Sequence, residues 1–142
     1  MDDMFRRDAD WMLQSLILAL SNSEGIGPPL TLSMRGIIIT GTLISESKYF
    51  KLLGNSIRNQ DDTTNLFHDI AEKSSSIRKK TLKKNPVEEI SKVNYFHLKD
   101  AHFILSYRSA IPYGEGILWR GKIKSIDGYY WGSLQSNYIE KF

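Results

Sequence analysis

The stretch from Gly116 to Ser133 constrains this chain more than any other. Ile117, Trp119 and Ile123 fall on one side of an extended strand, with Gly121 between them, and Arg120, Lys122 and Lys124 fall on the other; strand side chains alternate with period two. Asp127-Gly128 follows where a two-residue turn asks for positive φ, and the aromatic run Tyr129-Tyr130-Trp131 returns. These residues predict a β-hairpin. Leu30 to Ser45 obeys the same logic, with Arg35-Gly36 separating two β-prone runs. Neither hairpin carries an evident catalytic group.

A chain of 142 residues suits one domain spanning residues 1–142. The net charge of +3 is too small to argue for nucleic acid as a partner. Absence of cysteine excludes a disulfide framework, a thiol nucleophile and a zinc–thiolate site, and fits a cytoplasmic protein. The long apolar run, Trp11 to Leu20, is broken by Gln14 and Ser15 and is about half the ~20 residues a membrane-spanning helix needs. Acidic residues precede it, unlike the basic start of a signal peptide.

Along the chain, Asp8 to Asn22 predicts an amphipathic helix with Trp11, Leu13, Leu16, Leu18 and Leu20 on its apolar face and Asp8 or Asp10 opposing its positive start. Ser23 to Pro29 reads as punctuation, with the first strand beginning at Leu30. Ile37 to Ser45 is dense enough to be buried on both faces, and Gly41 within it marks a bulge, a bend or a close backbone approach. Ser47 is placed to cap a short helix that Gly54 would stop. Residues 55–93 form a polar helical or partly disordered insertion between the hairpin regions, with one helix expected on Leu66, Phe67, Ile70 and Ile77 and another after Pro86. Strands resume with Tyr95–Leu98, a turn or kink at Lys99-Asp100, and His102–Tyr107; Arg108–Glu115 is a loop. The fold class is α+β: an N-terminal helix, a small curled antiparallel sheet or open barrel of about five strands, and a helical insertion.

Chemistry is sparse. His97 and His102 are five apart, the spacing neither of a helical metal pair nor of neighbours on one strand face, so the expectation is no metal, no cofactor and no catalytic residue. No Gly-x-Ser-x-Gly elbow presents a nucleophile. The candidate partner-binding residues are instead the basic Arg78, Lys79, Lys80, Lys83 and Lys84 and the aromatic Tyr129, Tyr130 and Trp131. A basic cluster binds phosphates in a salt-dependent way, and it equally suits a solvated helix face. Aromatics at a sheet stack on bases, pack the sheet's own core, or meet another protein when exposed.

Leu30-Thr-Leu-Ser-Met-Arg-Gly-Ile-Ile-Ile-Thr-Gly-Thr-Leu-Ile-Ser with Tyr49-Phe50, then Phe96-His-Leu-Lys-Asp-Ala and Ile117-Leu-Trp-Arg-Gly-Lys-Ile-Lys-Ser-Ile-Asp-Gly-Tyr, resembles the gas vesicle accessory protein U (GvpU) family. The resemblance covers the leading helix and both hairpins and lapses across residues 55–93. It implies a non-enzymatic protein that assists assembly or clustering of gas vesicles, hollow protein shells of the cytoplasm. The implied partners are shell or other accessory proteins, homo-oligomers included; the length of the apolar run argues against a membrane and the small net charge against nucleic acid. A fainter likeness in element order, ending at Arg120-Gly121, is to the barrels of Sm-like proteins, which bind RNA as rings; the alternative it implies is an oligomeric RNA binder.

Overall fold

In the computed structural model, which describes residues 9–21, 23–57, 62–84, 86–106 and 109–134, the N-terminal helix α1 (Trp11–Leu20) starts at Asp10, whose Oδ1 accepts the Met12 N–H at 3.3 Å. Asp8 and Asn22, the bounds read from the sequence, lie outside the described residues. Leu13, Ile17, Leu18 and Leu20 of α1 are buried, as is Gln14, whose amide nitrogen donates to Val93 O at 2.8 Å. A polar residue on an apolar helix face is tolerated there because its donor has a partner.

The order that follows is β1 (Ile26–Met34), β2 (Ile37–Ile44), α2 (Glu46–Ser56), α3 (Asp62–Lys84), α4 (Pro86–Ser91), β3 (Tyr95–Ser106), β4 (Ser109–Ile111), β5 (Ile117–Lys122), a 3-10 turn (Ile123–Ser125) and β6 (Gly128–Trp131). The fold is α+β, as the sequence predicts, with six antiparallel strands among the described residues rather than five. They run β4-β3-β2-β1-β6, β5 also pairs with β3, and the sheet is not closed into a barrel. Leu30, Leu32, Ile39, Leu43, Phe96, Leu98, Ala101 and Ile123 join the α1 side chains in one core.

The first hairpin stands where the sequence puts it. Arg35 and Gly36 have φ of 50° and 83°, and Met34 pairs with Ile37, the left-handed pair of a tight turn that suits strand twist. β1 begins at Ile26, however, four residues before the expected Leu30. Pro28 and Pro29 enter the strand because β6 reaches only Leu30 to Ser33 on that side, and the β1–β2 register shifts between Ile26 and Pro29. Proline is accepted at an edge or a bulge.

The second hairpin does not exist. β5 pairs with β3, from Tyr95↔Lys122 to Ala101↔Ile117, whereas β6 pairs with β1, from Leu30↔Trp131 to Ser33↔Gly128. Ile123 leaves the strand and coils: it is buried, its N–H donates to Asn94 O at 3.0 Å, and Ile126 packs against the same core. Residues three apart share a side of a 3-10 turn, and that pair breaks the strand alternation. Crossing from the β5 edge to the β6 edge of a flat sheet means about 19 Å. Six residue steps with a coiled turn among them span less, so the sheet curls.

Asp127-Gly128 is therefore not a turn of its own. The Asp127 N–H donates to Ser33 O at 2.9 Å, and its Oδ2 accepts the Arg35 N–H at 2.8 Å, capping the first hairpin's turn from outside. Asp127→Ala is expected to cost about 1 kcal/mol in urea unfolding, with Asp127→Asn retaining most of the stability. Gly128→Ala is expected to be neutral, since an added Cβ would meet nothing nearer than Ser33 Oγ at 3.9 Å.

Lys99-Asp100 kinks a single strand instead of dividing two. β3 runs unbroken through it, with Asp100 at φ 53°. The register jumps there, Thr40↔His102 to Thr42↔Lys99. Gly41 lies opposite, where a Cβ would come within 3.1 Å of Lys99 O, the close approach its position predicts. Ser45, not Ser47, caps α2, its Oγ accepting the Lys48 N–H at 3.1 Å; Ser47 Oγ donates to Ala71 O at 2.9 Å and ties α2 to α3. Gly54 does not end α2. It sits within the helix, where a Cβ would press on the His68 ring at 2.6 Å. Arg108 lies outside the described residues, and Ser109–Ile111 of the expected loop forms β4.

Candidate interaction surfaces

Helix α3 carries the basic run, and packing divides it. Arg78 is half-buried and reaches two carboxylates, Glu46 Oε2 of α2 at 3.8 Å and Glu89 Oε2 of α4 at 3.7 Å. Glu89 is buried and also takes a hydrogen bond from Lys92 Nζ at 3.0 Å, the main reason the Lys92 pKa is raised. Arg78 thus bridges three helices. Lys79 and Lys80 are exposed, and the side chains of Lys83 and Lys84 lie outside the described residues. Arg78→Ala is expected to cost about 1–2 kcal/mol, because Glu89 stays buried with less compensation. Replacing Lys79 and Lys80 with alanine should stay within about 0.5 kcal/mol. Chemical denaturation of the two variants side by side checks both.

The aromatic run divides as well. Tyr129 packs against the core and its hydroxyl donates to the Asp10 carboxylate, joining β6 to the start of α1. Burial, then that carboxylate, pushes its ionisation above the usual tyrosine range. Trp131 meets Tyr129 edge-on at 5.4 Å. Tyr130 and Trp131 are 47% and 40% exposed. Among the described residues no strand pairs with the outer edge of β6.

Sequence reasoning missed a second group. Ile37, Ile38, Leu105 and Ile111 are all at least 40% exposed, although Ile37 and Ile38 open a strand expected to be buried on both faces. They lie at the turn end of the sheet: Ile38 pairs with Ile104, and Ile104 with Ala110. Two isoleucines, Ile37 and Ile38, placed directly after a chain reversal are the signal, since nothing beyond a turn is positioned to cover them, whereas Ile39 is already buried. Register joins one residue of each group. Ile38 pairs with Ser33, Ser33 with Gly128, and Tyr130 follows Gly128 by two residues, so Ile38 and Tyr130 stand on one face.

The histidines are built into the fold. His102 faces Asp100 O through Nδ1 at 3.1 Å and Gly114 O through Nε2 at 2.8 Å, spanning the β3 kink and the loop before β5. His97 is 1% exposed; Arg120 Nε donates to its Nε2 at 3.1 Å, and Nδ1 is buried with no partner. Burial, then the Arg120 charge, lowers the His97 pKa to about 3. The ring is neutral near pH 7, and since Nε2 accepts, its hydrogen is on Nδ1. Arg120 also lies 3.8 Å over the Tyr95 ring. The arginine that the Sm-like likeness assigns to RNA is thus engaged within the chain. A cavity of about 70 Å³ is lined by Ser45, Glu46, Ser47, Ser74, Ser75, Arg78, Lys92 and His97, among others. Among the described residues no group of three or more histidine or acidic side chains is arranged to hold a metal ion, and no helix is long and apolar enough to cross a membrane.

A family model described as gas vesicle protein GvpU-like matches residues 10–134, from the cap of α1 to the residues just past β6. No curated protein and no solved structure matches the chain.

Proposed function

The chain belongs to the GvpU-like family of gas vesicle proteins, and from that premise we propose that it is a non-enzymatic accessory protein of cytoplasmic gas vesicles. It assists their assembly or clustering by binding shell proteins, other accessory proteins or further copies of itself. The observation that carries this reading is the sheet face bearing Ile38 and Tyr130, two large apolar side chains, 40% and 47% exposed, beside the unpaired β6 edge. Exposed apolar groups of this kind at a free strand edge support association with another protein. Trp131 lies on the opposite face of β6, paired with Leu30, and Lys79 and Lys80 supply a cationic patch on α3 for acidic partners. Tyr129 and Arg78 act inside the fold, holding these surfaces in place.

Gas vesicles float, so binding is read by co-flotation. The protein is expected to rise with purified vesicles during centrifugation, and Ile38→Ser with Tyr130→Ser to lower the bound fraction at least tenfold, with circular dichroism and melting unchanged. Flotation of the folded double variant at the level of the unaltered protein would remove this face from the proposal. Failure of the unaltered protein to rise would remove direct vesicle binding.

A further inference from the structure

We propose that the outward face of α3 is a self-complementary surface on which a second copy of the chain docks its own α3, running antiparallel. Packing first divides the helix. Thr64 and Ala71 are buried, and Phe67 stacks on Phe50 of α2 with ring centroids 6.3 Å apart. His68 Nε2 meets Asn55 Oδ1 at 3.0 Å, and Ser74 Oγ donates to Glu46 Oε2 at 3.1 Å. These residues mark the side turned to α2. The other side carries a second apolar stripe. Leu66 and Ile77 are 55% and 59% exposed, and half-buried Ile70 lines one open groove with Lys73 and Ile77. Steps of four, three and four residues lead from Leu66 through Ile70 and Lys73 to Ile77, the spacing that keeps side chains on one line along a helix.

Charge decides what covers this stripe. Asp62 and Asp69 flank its first half, Lys73 and Lys80 its second, and all four are exposed. An inverted copy centred near Ala71 sets Leu66 against the partner's Ile77, Asp69 against the partner's Lys73, and Asp62 against the partner's Lys80. Two-fold symmetry repeats each contact. Ile70 then lies beside the axis, where the stem of the partner's Lys73 covers it. A parallel copy would instead set aspartate against aspartate and lysine against lysine. The occupant must carry acids first, bases second, at this spacing, and a second α3 meets that demand.

Asp62 to Lys80 is about 27 Å of helix. One helix pair of that length covers less than the roughly 800 Å² per partner of a standard interface. The dimer is therefore reversible, and its exposed ion pairs make it sensitive to salt. The Ile38–Tyr130 face of the sheet takes no part in it, so dimerisation and vesicle binding fail separately.

The test is sedimentation equilibrium of the full chain from about 5 to about 500 μM. A monomer–dimer equilibrium is expected, weaker in about 0.5 M than in about 0.05 M salt. Leu66→Ser with Ile77→Ser should raise the dissociation constant at least tenfold with melting unchanged, while Ile38→Ser with Tyr130→Ser leaves it unaltered. Charge variants serve if the α3 serine pair does not fold. A chain with Lys73→Glu and Lys80→Glu, and another with Asp62→Lys and Asp69→Lys, should each be monomeric alone and associate when mixed. Direction is read by oxidising a mixture of a Leu66→Cys chain and an Ile77→Cys chain, where cross-links are expected between the two and not within either. A monomer at every concentration, a dimer indifferent to salt or to the α3 substitutions, or Leu66→Cys linked to itself would overturn the assignment.

Discussion

Gly116→Val is expected to abolish folding or lower the melting temperature by more than 10 °C, the largest effect of any single substitution considered. A Cβ at residue 116 would lie 2.2 Å from the Asp100 carbonyl carbon and 2.6 Å from the Ala101 nitrogen. Both are main-chain atoms of the kink in β3, which pairs on its other side with β2 around Gly41, so no rotamer change relieves the overlap. The cost is more than about 3 kcal/mol, beyond the usual range for overpacking. Gly114→Ala is the control. Gly114 has φ +78° but nothing within 4 Å, so it pays only backbone strain of about 1 kcal/mol. Comparable melting of the two variants would show that the β3 kink is softer than its register implies.

The second large effect is loss of stability in acid through His97. Its pKa is lowered to about 3 in the fold, against about 6.5 in an unfolded chain. Above pH 6.5 neither state is protonated, and the folded form keeps its full stability. As the pH falls from 6.5 toward 3, the unfolded chain takes up a proton that the buried ring refuses, and stability declines by ~1.4 kcal/mol per pH unit. Over the whole window the loss is on the order of 4–5 kcal/mol. His97→Gln removes the titrating group, so its stability should fall less steeply over the same range. The comparison is of slopes, independent of how stable the variant is at pH 7. Parallel slopes for the two proteins would show that His97 accepts its proton in the folded state.

Legibility followed the range of the interaction. The α1 helix, the Arg35-Gly36 turn and the close approach at Gly41 are set by neighbouring residues, and sequence alone located them. The β5–β6 segment is the opposite case. Alternation identified extended chain in both arms, but partner choice depends on β3 and β1, which no local pattern encodes. Asp127-Gly128 imitates a hairpin signal, and the Ile123–Ile126 spacing that contradicts it is only three residues long. The candidate surfaces suffered similarly. Charge and aromaticity named Arg78 and Tyr129, yet the carboxylates of Glu46 and Glu89 and of Asp10 that hold them inward lie far away in sequence. Exposure of Ile38 could be foreseen only by asking what lies beyond a turn.

The pairing of β1 with β6 carries a consequence for biosynthesis. Thr31 hydrogen-bonds to Gly132, 101 positions later, so β1 cannot gain its outer neighbour until β6 has been synthesised. In the interval Leu30 and Leu32 have an open flank, and long-separation pairing of this sort forms slowly. A nascent chain halted before Gly128 would expose a hydrophobic ribbon to whatever crowds it, making the Gly128–Trp131 segment decisive for solubility.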